Sequence, residues 1–139
     1  MIKEIVKDEA ILTQKSESVS VEEAQEIITD LLDTAQAHID DCAGLAAPQI
    51  GVNKKVIVIR NGQDSFYPMI NPVVVRKIGK KFLNNEGCLS LEGTRNVERY
   101  PSVLVGFTDK NGKRITKTFN GLSAIVVQHE TDHLNGILI

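Results

Sequence analysis

LSAIVVQHETDHL, residues 122–134, decides how the rest of the chain is read. The stretch has no Gly or Pro, and Asn120-Gly121 precedes it while Asn135-Gly136 follows it. That pattern predicts a helix with a glycine-type stop. His129 and His133 stand four residues apart, so both project from one face of the helix. That spacing lets both imidazoles reach one divalent ion. Glu130, one residue after the first histidine, is placed to take a proton from water at that ion, whose pKa a metal lowers from about 15.7 to about 7. Such a centre needs a third protein ligand and an open position. Residues 134–139 offer no candidate, so the ligand comes from upstream. Cys88, in Glu86-Gly87-Cys88-Leu89-Ser90, is the best choice, because a thiolate is a strong ligand for zinc or ferrous iron. Taken singly, each feature has a plainer reading. HExxH also occurs as an ordinary helix pair with satisfied hydrogen bonds, and a lone cysteine as a small buried hydrophobe. Their co-occurrence favours the metal.

Working outward, residues 102–119 read as a hairpin. Val103, Val105 and Phe107 alternate on one side, and Ile115, Lys117 and Phe119 follow the turn. Asn111-Gly112 supplies turn chemistry in which both central positions have positive φ. Further upstream, Lys55–Ile59 is a β-branched run expected to form a buried strand. Asn61-Gly62 marks a turn. Met69–Ile78 reads as another strand whose start Pro72 places at an edge or bulge. Residues 42–51 are rich in Gly and Ala, which lets backbone approach something closely. A second helix opens at Ser20. Ser20 and Glu23 have capping-box spacing, and Val21, Ala24, Ile27, Ile28, Leu31, Leu32 and Ala35 recur at helical period. His38 near its end reads as a surface or helix-end residue. Residues 1–20 read as an irregular lead-in, and Ile137–Ile139 as a short strand or tail. The sum is one α+β domain over residues 1–139. A mostly antiparallel sheet is packed around a central metal-binding HExxH helix, with a second, N-terminal helix.

The 139 residues are 42% hydrophobic and 24% charged, with a net charge of −2. Both signs are spread along the chain and no basic stripe stands out, which argues against direct nucleic-acid binding. No signal-peptide pattern and no apolar run of about 20 residues is present, so a cytoplasmic protein without a membrane span is expected. Cys42 and Cys88 are expected to be free, buried or metal-bound in a reducing compartment, with a disulfide between them left open.

At this point the chain resembles the peptide deformylase family along nearly its whole length. Three signatures occur in the family's order. They are Cys42 to Gln49 for Gly-x-Gly-hydrophobic-Ala-Ala-x-Gln, Glu86 to Ser90 for Glu-Gly-Cys-hydrophobic-Ser, and Gln128 to Leu134 for Gln-His-Glu-x-Asp-His-Leu. The resemblance implies that Cys88, His129 and His133 bind one divalent ion, ferrous iron natively, with zinc, nickel or cobalt able to replace it. It implies Glu130 as general acid/base, with the Gln49 amide and the Leu89 N–H as donors to the developing oxyanion. The reaction implied is removal of the N-formyl group from the initiator methionine of a new polypeptide, near the ribosome, by a monomer. The peptide would add as a strand beside Gly44 and Leu45, with Arg95 on its backbone. Ala43, Glu86, Leu122, Ile125 and Val126 would line the methionine pocket, although Leu122 reads equally as core packing.

The chain departs from the family pattern in four places. Cys42 stands where Gly is usual, Ala43 replaces a larger aliphatic residue, and Glu92 stands where many members have Pro. The chain also stops soon after the third signature, like a short deformylase-like class of Gram-positive bacteria. Cys42 is then expected to alter the rim loop, and to be a redox hazard near the metal. Three competing readings are a metal-binding relative with weak activity or another N-acyl substrate, a metallopeptidase, and a structural or interaction module, the last of which leaves the second and third signatures unexplained. Intact Glu130 and Gln49 argue against the first. The upstream cysteine and the missing downstream ligand argue against the second.

Overall fold

The computed structural model describes residues 1–139. Its elements in chain order are α1 (Glu9–Leu12), α2 (Val21–Ala37), β1 (Gly44–Ala46), a 3₁₀ turn (Ala47–Ile50), β2 (Val56–Arg60), β3 (Phe66–Ile78), β4 (Phe82–Cys88), β5 (Leu91–Arg99), β6 (Ser102–Thr108), β7 (Arg114–Asn120) and α3 (Gly121–Leu134). A five-stranded sheet runs β1-β2-β3-β6-β7, and β4-β5 form a separate two-stranded sheet. All strand pairs are antiparallel.

The β2 run is buried because both of its faces are covered. Val56 and Val58 join a core with Ile27, Ile28, Leu31 and Ala35 of α2. Ile57 and Ile59 join a second core with Met69, Val103, Val105, Phe107 and α3 residues Ala124, Val127 and Leu134. Successive side chains of a strand point to opposite faces, so α2 and α3 pack on opposite sides of the sheet. This explains why the run lacks polar alternation.

Local expectations fare differently. Ser20 caps α2, its hydroxyl accepting from the Glu23 N–H at 3.2 Å. The Glu23 carboxylate turns to Lys54 at 3.8 Å. Strand β3 starts at Phe66, three residues before the expected start, and Pro72 falls in the register shift between Ile70 and Val73. Asn71 there has φ 50, held by side-chain bonds to the N–H and C=O of Val19. The β6–β7 turn differs from the two-residue form expected. Gly112 has φ 88, but Asn111 is not in the left-handed region. The Asp109 carboxylate instead accepts from the N–H groups of Asn111 and Lys113, making a longer loop. Within the lead-in, Asp8 caps the one-turn helix α1. The last three residues form a tail, with Ile139 buried.

The end of α3 is clamped to the lead-in. Ser16 N–H donates to the Leu134 carbonyl at 2.8 Å. Gly136 has φ +74, and a Cβ on it would stand 2.3 Å from the Thr13 carbonyl oxygen. That neighbour is backbone and cannot move aside cheaply. Gly136→Ala is therefore expected to lower stability by about 1–3 kcal/mol, read as a shifted urea midpoint. An unchanged midpoint would contradict this packing.

Candidate metal centre and active site

Helix α3 runs through the protein with His129, Glu130 and His133 all buried. The Nε2 atoms of the two histidines face each other at 3.2 Å. Nitrogens bound to one tetrahedral ion at about 2.0–2.1 Å stand about 3.3 Å apart, so the pair fits such an ion. Cys88 ends β4, and its sulfur with the two imidazoles forms a group whose ligand atoms lie within 4.8 Å of one another. The donor set, one thiolate and two imidazoles, suits zinc or ferrous iron.

The surroundings favour positive charge at this point. His129 Nδ1 meets Glu86 Oε1 at 2.7 Å, which leaves Nε2 to face the centre. Burial pushes the His129 imidazole down, but Cys88 and Glu86 outweigh it and raise it to about 10. Burial pushes Glu86 up, yet hydrogen bonds from His129, Arg99 and Asn84 hold it at about 2. His133 is lowered to about 3, first by burial and then by the His129 and arginine charges. A neutral His133 is the ligating form.

Glu86 is itself held firmly. Arg99, 3% exposed, donates from Nε and Nη2 to the two Glu86 oxygens at 2.8 Å each. Its Nη1 reaches Asp132 of α3 at 2.6 Å. Glu86 borders the cavity, as expected of a pocket residue, but its carboxylate is occupied by His129, Arg99 and Asn84. Nothing in the sequence pointed to Arg99. Only the burial of a carboxylate demanded a cation, and burial of Glu86 was not legible.

Gln49 sits in the 3₁₀ turn. Its Oε1 accepts from the Ala46 N–H at 3.0 Å. Its Nε2 donates to Ser90 Oγ at 3.2 Å and lies 3.7 Å from the Cys88 sulfur. The Ser90 N–H also points at that sulfur, at 3.2 Å. Glu130 is pushed up to about 7 by burial, partly offset by His129 and Arg99. Its Oε1 has no hydrogen-bond partner. Gly44 explains how close β1 lies to α3. A Cβ there would stand 2.7 Å from Val126, 2.9 Å from Glu130 Oε2 and 3.0 Å from the Val58 carbonyl.

A cavity of about 220 Å³ opens on this centre. It brings together the expected Ala43, Gly44, Gln49, Glu86, Cys88, Leu89, Leu122, Ile125, Val126, His129 and Glu130. Leu122 lies at the rim, 71% exposed, so it is not core. Leu45 lies elsewhere, fully buried in the α2-side core. Arg95 also lies outside the cavity, with Nη2 on the Glu92 carbonyl and a buried Nη1 without a partner. Asp41, Asn84 and Gly87 line the cavity without having been expected. Cys42 lines it too, but its backbone is not in the left-handed region, so the position does not require glycine. Its thiol is 3% exposed and donates to the Gly44 carbonyl at 3.2 Å. Burial, then the Glu130 charge, raises it to about 12. That protects Cys42 from the oxidation expected of it, because the thiolate is the reactive form.

An HExxH helix joined by a cysteine from a separate hairpin, beside an open cavity, defines the centre of a metal-dependent hydrolase. The family model described as polypeptide deformylase matches residues 2–139. A peptide deformylase of Clostridium beijerinckii is 44% identical over the whole of both chains. A Met-Ala-Ser-bound class I type b peptide deformylase from Acinetobacter baumannii superposes with a TM-score of 0.89. It is 30% identical, with 99% of this chain and 97% of that chain covered. A probable peptide deformylase from a Synechococcus phage gives a TM-score of 0.86 at 40% identity, covering 99% of this chain and 95% of its own. The chain belongs to the polypeptide deformylase family.

Two outcomes follow from this geometry. Glu86→Gln should weaken metal retention about 10–100-fold, because it disturbs the group that orients His129, as read by chelator competition. Unchanged retention would remove Glu86 from that role. In metal-free folded protein, iodoacetamide should label Cys88 while sparing Cys42, as mapped by mass spectrometry. Equal labelling would contradict the burial of Cys42.

Proposed function

We propose that this chain is a peptide deformylase that removes the N-formyl group from the N-terminal methionine of new polypeptides and releases formate. The observation that carries the reading is the Cys88, His129 and His133 cluster, set against the unpartnered Glu130 Oε1 at the base of a cavity. A divalent ion held by those three residues, ferrous iron by preference, supplies Lewis-acid polarisation and makes water acidic enough to react near neutral pH.

The protein's own groups do the rest. The Ala43 carbonyl accepts from the Arg60 N–H at 2.8 Å, so β1 turns the N–H and C=O of the next residue, Gly44, away from β2. An extended peptide can pair there as an added strand. The methionine side chain enters between Ile125, Val126 and Leu122. The next residue, Leu45, turns its N–H and C=O back toward β2 and its side chain into the core, so it supports this edge from behind, and Arg95 is the proposed contact for the peptide's more distant backbone. Water attacks the formyl carbon, and Glu130 Oε1 takes its proton. The Gln49 Nε2 amide and the Leu89 N–H stabilise the negative oxygen that develops, each by about 3–4 kcal/mol. Glu130 then delivers the proton to the leaving amine as the C–N bond breaks. The chain acts as one catalytic domain, as a cytoplasmic monomer meeting its substrates near the ribosome.

The test is formate release from formyl-Met-Ala-Ser by anaerobic, ferrous-loaded protein. Glu130→Ala should lose about 10²–10⁴-fold in kcat while its iron content stays the same. No formate from metal-replete wild type would sink the reading.

A further inference from the structure

The loop between α2 and β1 forms one wall of the cavity, which Asp41, Cys42 and Ala43 line. Its own bonds are local. The N–H groups of Ile39 and Asp41 donate to Gln36 and His38, closing turns at the end of α2. The Cys42 thiol donates to Gly44, two residues on. The hydrogen bonds that tie residues 39–42 to a part of the chain distant in sequence come from one side chain, Arg60 at the end of β2. Its Nη1 donates to the carbonyls of Ile39 and Cys42, the second at 2.9 Å. Its Nη2 donates to the Gln63 carbonyl at 2.8 Å. Its backbone N–H donates to the Ala43 carbonyl, also at 2.8 Å.

This cation serves carbonyls alone. None of the ion pairs of the chain includes Arg60. Phe66 stands opposite it in the strand register, and the guanidinium carbon lies 5.7 Å from the Phe66 ring centroid. A guanidinium presents its N–H donors in one rigid plane, so it can meet several carbonyls at once, which the compact ammonium of lysine does less well. The Arg60 N–H makes the rung of the β1–β2 ladder at Ala43, and the guanidinium carries the attachment on to Cys42 and Ile39. Gly44, the residue with its N–H and C=O turned outward, follows directly.

We infer that Arg60 is a positioning residue for substrate: its guanidinium holds residues 39–43 as the wall of the cavity and keeps the β1 edge extended for the incoming peptide. This role rests on the deformylase reading for its substrate, and on the hydrogen bonds for the clamp. Arg60 is not among the residues that line the cavity, so its effect falls on peptide binding and not on proton transfer. A merely stabilising arginine at the end of α2 would lower the melting temperature and leave KM unchanged.

The experiment compares ferrous-loaded wild type with Arg60→Met, which keeps an apolar stem and removes the fork, and with Arg60→Lys, which keeps the charge. KM for formyl-Met-Ala-Ser should rise about tenfold in Arg60→Met, the rise given by a loop in place about a tenth of the time. Its kcat and iron content should stay within about twofold of wild type. Arg60→Lys should recover part of the loss. Arg114→Met, at an exposed arginine of β7, should change neither constant. Cys42 is an internal probe of the loop. In metal-free folded protein, iodoacetamide should label it faster in Arg60→Met than in wild type. The Arg60 charge lowers the Cys42 thiol, so loss of that charge alone would slow labelling, and faster labelling reports an opened loop. Thermal melts show that each variant is folded at the assay temperature. Unchanged KM in the variants overturns the role in substrate binding, and unchanged Cys42 labelling overturns the clamp. Absence of formate from metal-replete wild type would instead fail the deformylase reading, and Cys42 labelling would still decide the clamp.

Discussion

The structure depends on one buried carboxylate. Glu86 lies on β4, Arg99 on β5, and His129 and Asp132 on α3. The ionic bonds among them are the link between the small β-hairpin and the central helix. Burying these charges costs several kcal/mol per ion, which is recovered only when every partner is present. Here the two Glu86 oxygens accept from the Nε and Nη2 of Arg99, one on each, and His129 and Asn84 occupy what remains. Cys88 comes from the hairpin and the histidines from the helix, so this link fixes the distance between ligands that share no element. A hydrophobic replacement of the same volume could hold the pieces together, but it could not orient the His129 ring.

What was legible in the sequence follows from how local each signal is. The HExxH helix, its glycine stop, the Ser20 cap and the β2 run were readable because periodicity and capping act within a few residues. The β4–β5 hairpin was not. Phe82 to Arg99 is mostly exposed and polar, with no apolar alternation, and it is built to carry Cys88 and Glu86 rather than to fill a core. The Asn111-Gly112 turn was read in its commonest form, but the Asp109 carboxylate, two residues earlier, imposed a longer loop. In the site, the three donors and Glu130 were legible as residue types. Arg99 was not, because a buried arginine is recognisable only through the burial of its partner.

The departures at residues 42 and 43 follow from the close approach of β1 to Glu130. Gly44 is the position that cannot carry a side chain, since Val126, Glu130 and the Val58 carbonyl occupy the space. Residue 42 is freer. Its backbone is ordinary and its side chain folds inward, so a cysteine is accommodated by donating to the Gly44 carbonyl. That bond takes a share of an acceptor that an added peptide strand would otherwise meet undivided. The substitution therefore bears on the edge proposed to receive substrate rather than on the metal donors. Ala43 beside it removes bulk from the same rim. Both changes act at the rim of the cavity, which in the proposed reading places their effect on substrate preference and leaves the proton transfer proposed for Glu130 intact.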